Sequence, residues 1–432
     1  MNLRNRVKKV LPRAVFEVIE PEGHRLEAIA ANMKAGMPAR YMRIIGVTGT
    51  NGKTTTCFMI HKMLVEAGYK VGLMTTVAYG VGEDITPQVA HMTSVSAPLL
   101  QKRLRAFLAA GAEWVVLETT SHALAQYRVW GVPYEIAVMT NVTHEHLDYH
   151  KTFERYRDAK KRMFSIATKH PEGFGIVNAD DPSAKAFLAA TSAHESYGMT
   201  EGDLKATNVQ LKADGSEYTA QAGEDTYRII CHIPGEFNVY NSLAAVAVGR
   251  RMGLTAQQIE QGIAALTSVE GRMNVIDEGQ AFSVVVDFAH TPDSFERLLG
   301  DLRRSTKGKL VAVFGSAGRR DESKRAIQGE IAGKYCDEVV LTEEDDRDVD
   351  GNEILEQIAE GARKSGKVDD RNLFKILDRT EAIRYGINRV RTKDDVVVLL
   401  GKGHEKTIER TDGEHPWDEI QTVRTVLRTL SR

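Results

Sequence analysis

Short apolar runs separated by stretches of helical periodicity dominate the first part of the chain, up to about residue 270. The runs lack the alternation of a half-exposed strand, which is typical of parallel strands buried on both faces. The predicted strands cover residues 42–47, 71–76, 114–118, 136–141 and 175–178, and the predicted helices cover residues 54–67, 97–110 and 153–165. This order predicts an α/β unit with a mostly parallel sheet.

Residues 203–233 have a different pattern, in which apolar and polar side chains alternate. Turn signals at Asp214-Gly215 and Gly223-Glu224 interrupt the alternation. The pattern predicts a small antiparallel β element. Two helices are predicted to follow it, at residues 238–251 and 255–265.

Strands and helices alternate again after residues 270–272. The predicted strands are residues 283–287, 309–314, 338–342, 374–377 and 396–400, and the predicted helices are residues 294–304, 323–334, 352–364 and 379–389. They form a second α/β unit. We therefore predict a short, partly helical lead-in at residues 1–40, a central domain at residues 41–268 and a C-terminal domain at residues 269–432.

The composition is that of a globular protein of two or three domains, with 432 residues, 42% of them hydrophobic and 27% charged. A net charge of −2 gives no general attraction to nucleic acid or to an anionic membrane. No apolar run approaches the ~18 residues that cross a bilayer, and the basic residues 1–12 lack the apolar segment of a signal peptide. The three cysteines, Cys57, Cys231 and Cys336, include no Cys-x-x-Cys pair, which excludes a zinc ribbon. We expect a cytoplasmic monomer.

Residues 44–55 carry the strongest chemical pattern in the sequence. An apolar run leads into a turn with Gly49 and Gly52, and Lys53 and Thr54 then begin a helix. Such a turn directs backbone N–H groups and a helix N-terminus at a phosphate. In a P-loop, the lysine reaches the β- and γ-phosphates and the hydroxyl binds Mg²⁺. Because Val47 stands where a strict P-loop has glycine, a glycine-rich turn with an unrelated lysine is the alternative.

Three further candidates follow or flank predicted strands. Glu118 ends a strand at the edge where ligands gather in α/β sheets, and a carboxylate there suits Mg²⁺; a carboxylate that caps the next turn is the alternative. Residues 140–150 hold three histidines, His144, His146 and His150, and by themselves indicate a zinc or nuclease site. Lys160, taken alone, is a solvated lysine on an amphipathic helix.

These motifs resemble those of the Mur ligases, the amide-forming enzymes of peptidoglycan precursor synthesis. The resemblance runs from about residue 43 to the C-terminus and includes residues 48–55, 118–124, 140–150, 156–160, 235–245, 287–292 and 314–325. It implies a P-loop central domain and a Rossmann-like C-terminal domain. It also implies an ATP-dependent ligase that joins a carboxylate to an amine through an acyl phosphate.

The resemblance implies roles for individual residues. Those expected to bind ATP are Gly49, Thr50, Asn51, Gly52, Lys53, Thr54, Thr55, Asn241, Arg272, Asp287 and His290. Two Mg²⁺ ions are expected on Thr54, Glu118, His146 and a carbamylated Lys160, since carbamylation turns a repelled ammonium into an anion. The residues expected to act in catalysis are Lys53, His146, Lys160, Arg272 and Lys324.

Within the family, the details are similar to the ligases that add a diamino acid to UDP-MurNAc-L-Ala-D-Glu. The implied substrate-binding residues are Thr93, Ser94, Thr120, Gln126, Arg128, Arg347, Gly401 and Glu405. Asp345 and Asp346 stand where diaminopimelate users have Asn-Pro, and two acids favour a more cationic amine such as lysine or ornithine. Arg347 favours diaminopimelate, because it would pair with the distal carboxylate. We expect meso-diaminopimelate or L-lysine.

Only about 40 residues precede the P-loop strand, so we expect the chain to lack the N-terminal uridine-binding domain that these ligases usually carry. One alternative function is a Mur-like ligase with a carboxylate acceptor that is not UDP-linked, such as a polyglutamylating or cyanophycin-like enzyme. A less favoured alternative is a P-loop NTPase switch. The expected partners are small molecules (ATP, the muramyl dipeptide acceptor and the diamino acid), with no nucleic acid and no membrane.

Overall fold

A computed structural model describes residues 13–88, 95–143, 145–212 and 215–430, without the side chains of residues 13–21, 147 and 148. The chain forms two compact units. The first contains the chain up to Val209 together with Tyr218–Ile230 and Tyr240–Ala265. The second contains Gln210–Glu217, Cys231–Val239 and the chain from Leu266 onward.

Helices and strands alternate through the first 265 residues. The helices are α1 (Arg13–Ala35), α2 (Lys53–Glu66), α3 (Ala97–Ala109), α4 (Ser121–Ala125), α5 (Leu147–His150), α6 (Phe153–Ala167), α7 (Ala184–Leu188), α8 (Glu236–Arg251) and α9 (Ala256–Ala264), with a 3₁₀ turn at Pro38–Tyr41. The strands are β1 (Arg43–Thr48), β2 (Val71–Met74), β3 (Ala78–Val81), β4 (Asp84–Pro87), β5 (Trp114–Glu118), β6 (Tyr134–Met139), β7 (Phe174–Asn178), β8 (His194–Gly198), β9 (Leu204–Lys212), β10 (Gly215–Ala222) and β11 (Asp225–Cys231).

These strands form one sheet in the order β11-β10-β9-β8-β7-β6-β1-β5-β2-β3-β4. The pairs between β9 and β2 are parallel, whereas β2–β3 and β3–β4 are antiparallel. The connections from β9 to β10 and from β10 to β11 are too short for a parallel crossover, so these three strands form the predicted antiparallel element.

Strand β1 lies near the centre of this sheet, and every residue in it except Arg43 is buried. It pairs with β5 on one side and with β6 on the other. A strand with neighbours on both edges and helices over both faces has to be apolar throughout, which explains why its sequence does not alternate.

The second unit is built around a six-stranded sheet in the order β12-β13-β17-β14-β15-β16. Its strands are β12 (Asn274–Ile276), β13 (Ser283–Asp287), β14 (Leu310–Phe314), β15 (Glu338–Leu341), β16 (Leu373–Lys375) and β17 (Val396–Leu400), with a hairpin of β18 (Thr407–Arg410) and β19 (Gly413–Pro416). Its helices are α10 (Pro292–Ser305), α11 (Ser323–Tyr335), α12 (Gly351–Lys364), α13 (Arg379–Ile387) and α14 (Glu419–Leu430). All pairs are parallel except that of β12 with β13 and the hairpin.

The predicted α/β fold class is confirmed, with a mostly parallel first sheet and a second α/β unit. The sequence patterns missed the short elements β3, β4, β8, β12, β18, β19, α4, α5 and α7, and also the twelve-residue helix α14. Most of the missed strands have exposed positions, as in β4 and β19, and so lack a continuous apolar run. Within the described part of the chain, no helix combines the length and the apolar character needed to span a membrane.

Gly46 in β1 offers a test of this packing. A Cβ atom at Gly46 would lie 2.5 Å from Tyr134 Cδ1 and 2.6 Å from Met163 Sδ. We expect Gly46→Ala to destabilise the first unit by about 1–3 kcal/mol, because the core has to shift to admit one methyl group. Calorimetric unfolding measures this change.

Gly23→Ala is the matched control, since nothing lies within 4 Å of an added Cβ in α1. We expect it to be neutral or to stabilise by about 0.5–1 kcal/mol, because alanine favours helix more than glycine does. Equal effects of the two substitutions would contradict the packing described for β1.

Candidate active site

The carboxyl ends of β1, β5 and β6 meet at one edge of the first sheet. Val47 pairs with Glu118 at the end of β5, and Thr48 pairs with Met139 at the end of β6. Ligands of open α/β sheets bind at such an edge. The loops that follow these three strands carry most of the first-unit residues for which the sequence predicts a role.

The loop after β1 has backbone angles that favour glycine. Gly49 has a φ of 156° and Gly52, which precedes α2, has a φ of 82°. An added Cβ would lie 1.9 Å from Thr140 Oγ1 at Gly49 and 2.2 Å from Asn241 Oδ1 at Gly52. Both glycines are therefore required by conformation and by space, and they let the loop present its N–H groups in front of α2.

The end of β6 holds this loop in place. Thr140 Oγ1 and Asn141 Nδ2 donate to the carbonyl of Asn51, at 2.6 and 3.0 Å. In return, the backbone N–H of Asn51 donates to Asn141 Oδ1 at 2.9 Å, and that of Thr50 donates to the Asn141 carbonyl at 2.8 Å. Four hydrogen bonds between two loops preorganise the loop before any ligand arrives.

The Glu118 carboxylate lies against the start of α2. Its Oε2 accepts from the Thr54 hydroxyl at 3.0 Å and from the Thr76 backbone N–H at 2.9 Å. Glu118 is buried, so these bonds are not exchanged with water. The Thr54 hydroxyl and the Glu118 carboxylate are hard oxygen donors that lie side by side. Mg²⁺ prefers such ligands, and protein sites for Mg²⁺ often include phosphate oxygens as well.

Two lysines approach the same loop. Lys53 Nζ donates to the Thr50 carbonyl at 2.7 Å, and Lys160 Nζ donates to the Gly49 carbonyl at 2.6 Å. Lys160 is 2% exposed and belongs to the buried face of α6, not to a solvated face. Burial and the charge of Lys53 together lower the pKa of the Lys160 amine well below its usual value, although Glu145 and Glu118 act in the opposite direction.

A group of rings lies beside the loop. His122 contacts His146, Tyr149 and His150, with ring centroids 4.7, 4.6 and 5.4 Å apart. His146 has a φ of 56°, and its Nε2 lies 3.6 Å from Glu145 Oε1. Among the residues described, no group of three or more His, Cys, Asp or Glu side chains is arranged to hold a metal ion.

Tyr156 links the loop to α6. Its hydroxyl lies 3.0 Å from Thr50 Oγ1, and Lys160 Nζ lies 4.5 Å from the centre of its ring. The motifs of the sequence contain Tyr156, Thr140 and Asn141 but predict no role for them. Thr140 and Asn141 directly follow a predicted strand, and Tyr156 lies four residues before Lys160 on the same face of a helix. These positions are the signals that could have identified the three residues.

The remaining first-unit residues with a predicted role make hydrogen bonds within the unit or are buried in it. Asn241 contacts Thr56, whose hydroxyl donates to Asn241 Oδ1 at 3.3 Å, and Thr55 is buried in α2. Thr120 caps α4 by accepting from the backbone N–H of Ala123. Gln126 is buried, and its Oε1 accepts from Arg128 Nε at 2.8 Å. Thr93, Ser94 and His144 lie outside the described residues.

In the second unit, Asp287 ends β13 and is buried. Its carboxylate accepts from the backbone N–H groups of Met273 and Ala289, each at 2.7 Å. Burial raises the pKa of Asp287, and Arg272 partly opposes this effect. The Arg272 guanidinium lies over the Phe288 ring at 4.8 Å, and its Nε is buried without a hydrogen-bond partner among the described residues.

Lys324 and His290 lie together. Lys324 Nζ donates to the His290 carbonyl at 3.0 Å, and the His290 ring Nδ1 lies 3.0 Å from the Phe288 carbonyl. The loop after β13 therefore gathers Asp287, His290 and Lys324, as their spacing along a parallel sheet predicts.

A buried charged network surrounds Gly401 and Lys402. Lys402 Nζ lies 2.8 Å from Asp345 Oδ1 and 2.7 Å from Glu405 Oε2. Burial lowers the pKa of Lys402, but the two carboxylates outweigh burial and the net pKa is raised. Asp346 lies close by, and burial together with neighbouring acids raises its pKa to about 6.

Arg347 and Glu344 complete this network. Arg347 Nε donates to Glu409 Oε2 at 2.7 Å, and its NH1 donates to the Gly318 carbonyl at 2.5 Å. Glu344 Oε2 is buried without a hydrogen-bond partner in the described part of the chain. An added Cβ at Gly401, where φ is 103°, would lie 2.9 Å from this oxygen. No sequence motif indicates a role for Glu344 or Lys402, because burial and ion pairing cannot be read from neighbouring residues in the chain.

Comparison with known families decides the assignment. Residues 47–249 match the Mur ligase middle domain, and residues 271–403 match the Mur ligase glutamate ligase domain. The chain belongs to the Mur ligase family. It is therefore an ATP-dependent ligase, as the sequence motifs predicted.

Curated relatives agree over most of the chain. A UDP-N-acetylmuramyl-tripeptide synthetase of Roseiflexus sp. is 40% identical over 91% of this chain and 80% of the relative. A UDP-N-acetylmuramoyl-L-alanyl-D-glutamate–2,6-diaminopimelate ligase of Syntrophomonas wolfei is 38% identical over 93% of this chain and 81% of the relative.

Solved structures give the same picture for this Mur ligase. The structure of a UDP-N-acetylmuramoyl-L-alanyl-D-glutamate–2,6-diaminopimelate ligase has a TM-score of 0.64 and 31% identity, over 90% of this chain and 79% of the other. A folylpolyglutamate synthase of Mycobacterium tuberculosis has a TM-score of 0.72 over 93% of this chain and 94% of the other. At 17% identity, the second match shows the shared fold alone.

The buried Lys160 amine predicts a particular dependence of stability on pH. Its pKa is lower in the folded protein than in the unfolded chain, so between these two values the unfolded chain binds the proton more tightly. Stability therefore rises with pH across this window, which ends near 10.5, by at most about 1.4 kcal/mol per pH unit. We expect Lys160→Met to remove this rise, as measured by urea unfolding between pH 7 and 10 without CO₂ or Mg²⁺. Parallel profiles for the two proteins would show that Lys160 is not the titrating group.

Proposed function

We propose that the chain uses ATP to join a diamino acid to the D-glutamate of UDP-MurNAc-L-Ala-D-Glu in peptidoglycan precursor synthesis. The observation that carries the proposal is the convergence of Lys53, Thr54, Glu118 and Lys160 on one loop at the carboxyl edge of the first sheet. Relatives that carry this activity in their names are 38–40% identical over nine-tenths of the chain.

The loop from Gly49 to Thr55 would hold the ATP phosphates. Its N–H groups and the N-terminus of α2 supply partial positive charge, and Lys53 adds a full charge. The Lys53 amine now donates to the Thr50 carbonyl, so it is already folded back over the loop. Asn241 lies against Gly52, which supports a place for it near the bound nucleotide.

Thr54 and Glu118 would hold Mg²⁺ at the phosphates. They fit this ion because they offer two oxygen donors at the loop while phosphate oxygens supply others. When bound, Mg²⁺ neutralises charge that develops on the transferred phosphoryl group. A second ion on His146 and Lys160 belongs to the same proposal.

Lys160 would act as a carbamate. As a free amine it lies on the same Gly49–Thr50 turn as Lys53. Two cations there would repel a metal ion. Its lowered pKa keeps a fraction of the amine neutral, and only a neutral amine can attack CO₂. The product is an anion that would attract a metal ion and would remove a buried ammonium next to Lys53.

The second unit would supply cations to the acyl phosphate. Arg272 has an Nε without a partner among the described residues, and stacking on Phe288 holds its guanidinium plane. Lys324 is held by the His290 carbonyl. We assign Arg272 and Lys324 to the transferred phosphoryl group, where fixed cations stabilise the charge that builds up.

The amine would be meso-diaminopimelate or L-lysine. Arg347 supports diaminopimelate, since a guanidinium pairs well with a second carboxylate. Glu344 supports lysine, since its buried Oε2, which has no hydrogen-bond partner among the described residues, would receive an ammonium group. With either amine, its side chain would lie near Gly401 and Glu405.

The first test measures phosphate release from ATP with Mg²⁺ and UDP-MurNAc-L-Ala-D-Glu, with diaminopimelate, lysine, ornithine and alanine as amines. We expect release that depends on the acceptor and on one diamino acid, and little release with alanine. Release that needs no acceptor and no amine would instead indicate an NTPase switch. Release that occurs with an acceptor ending in glutamate but not with UDP-MurNAc-L-Ala-D-Glu would indicate a polyglutamylating enzyme.

The second test addresses Lys160. We expect Lys160→Ala to lower kcat by at least about a hundredfold, because it removes the anion proposed at the phosphate loop. Added formate or acetate should restore part of the activity by entering the space left by the side chain.

Lys161→Ala is the matched control, because Lys161 is a neighbouring lysine paired with Asp158 away from the loop. We expect its activity to be close to that of the unchanged protein. Full turnover of Lys160→Ala would remove the carbamate from the mechanism and leave the ligase assignment in place.

A further inference from the structure

His404 is a buried histidine of the second unit with a ring nitrogen that nothing uses. The residue is 8% exposed. Its Nδ1 is buried without a hydrogen-bond partner among the residues that the structure describes. A buried polar atom of this kind is costly unless a ligand or a water satisfies it. Gly401 and Glu405, beside which the side chain of the amine would lie, are close to His404 in the chain.

The backbone at His404 packs directly against the segment that carries Arg272. An added Cβ at Gly271, where φ is 67°, would lie 2.3 Å from the His404 backbone nitrogen. An added Cβ at Gly403, where φ is 48°, would lie 3.0 Å from the Gly271 carbonyl oxygen. Both glycines are therefore required by backbone angle and by close approach. This contact fixes His404 beside Arg272 before any ligand binds.

Phe288 packs against both side chains. The centre of its ring lies 4.8 Å from the guanidinium carbon of Arg272 and 5.0 Å from the centre of the His404 ring. Arg272 Nε and His404 Nδ1 are both buried without a partner in the described part of the chain. Attack of an amine on an acyl phosphate involves oxygens that gain negative charge and a nitrogen that has to lose a proton. A donor and a ring nitrogen on one aromatic ring match these two requirements.

The surroundings of His404 keep its ring neutral. Burial, and after it the charges of Arg272, Lys406 and Lys402, lower the pKa of the ring to about 3. A neutral imidazole carries a proton on one nitrogen and a lone pair on the other. We assign the lone pair to Nδ1, because an N–H group buried without an acceptor is rarer than a buried acceptor without a donor.

We propose that His404 is a catalytic residue whose Nδ1 accepts the proton that the attacking amine gives up as the amide forms. The inference rests on the proposed function and concerns the second of its two steps, the attack on the acyl phosphate. Arg272 would contact the phosphoryl oxygens in this step, and His404 would contact the nitrogen of the amine. The packing of both side chains on Phe288 sets their separation.

The step balances in atoms and in charge. The amine loses one proton to solvent, and its lone pair then attacks the acyl carbon. The nitrogen becomes positively charged as the carbon–nitrogen bond forms and strongly acidic as the carbonyl re-forms, so its second proton moves to Nδ1. The carbon–oxygen bond breaks, and the phosphate leaves with that electron pair. The imidazolium is acidic among three cations, so it passes the proton to the departing phosphate and becomes neutral again.

The test separates the two steps with hydroxylamine, which is largely unprotonated at neutral pH and traps an acyl phosphate as a hydroxamate. The full chain is given ATP, Mg²⁺, UDP-MurNAc-L-Ala-D-Glu and either diaminopimelate or lysine. His404→Asn keeps a polar side chain but cannot accept a proton. We expect it to form hydroxamate as the unchanged protein does, while amide formation falls by about a hundredfold or more, as for the loss of a general base.

His415→Asn is the matched control, because His415 belongs to the hairpin of β18 and β19 and pairs with Asp412. We expect it to leave both products unchanged. Amide formation by His404→Asn at the full rate would overturn the proposal. An equal loss of hydroxamate and amide would overturn it as well, because His404 would then support the packing of the site and not the second step.

Nitrogen NMR of the unchanged protein tests the same contact without turnover. Lysine or diaminopimelate is titrated into the full chain in the presence of the acceptor and a non-hydrolysable ATP analogue. The Nδ1 resonance of His404, identified by its absence from His404→Asn or His404→Gln, should move upfield as Nδ1 begins to accept a hydrogen bond. No movement with either amine would overturn the proposal. If the unchanged protein forms neither hydroxamate nor amide, the proposed function fails, whereas this titration still decides whether His404 receives an amine.

Discussion

The pairing of β1 with β5 and β6 is the constraint on which the candidate site depends. These strands run parallel, so the segments that follow them leave the sheet at one edge. The loop after β1 then meets Glu118 from β5 and Thr140 and Asn141 from β6. A register shift in either pair would move these polar groups away from the loop.

Burial controls the charges around this framework. Glu118 and Lys160 are both almost inaccessible to water; Glu118 accepts a hydrogen bond from Thr54 and Lys160 donates one to the Gly49 carbonyl. A buried ammonium next to a second lysine is unfavourable, so Lys160 sits at a point where modification or a bound anion lowers the energy. The second unit shows the reverse arrangement, in which Lys402 is surrounded by more carboxylates than it can neutralise.

Much of the site could be predicted because its residues form contiguous motifs. The glycine turn, the strand-end Glu118 and the loop after β13 follow from local sequence and from the rule that ligands gather at strand ends. The partners of these residues could not be predicted in the same way. Tyr156 contacts Thr50, which lies 106 residues away in the chain, and Glu344 lies against Gly401. The short strands β3, β4, β18 and β19 were missed because exposed hairpins leave little periodicity.

The α/β class, the glycine-rich loop after β1 and the membership of the chain in a ligase family follow from the sequence alone, since these depend on periodicity and on residues close together in the chain. Whether each candidate is buried, paired or strained depends on the tertiary structure. Lys160 shows the difference most clearly. As one of two adjacent lysines on a helix it looks like a solvated side chain, and only the packing of α6 against the sheet turns it inward to the Gly49 carbonyl. Burial and charge depend on neighbours in space, and the order of residues along the chain does not contain them.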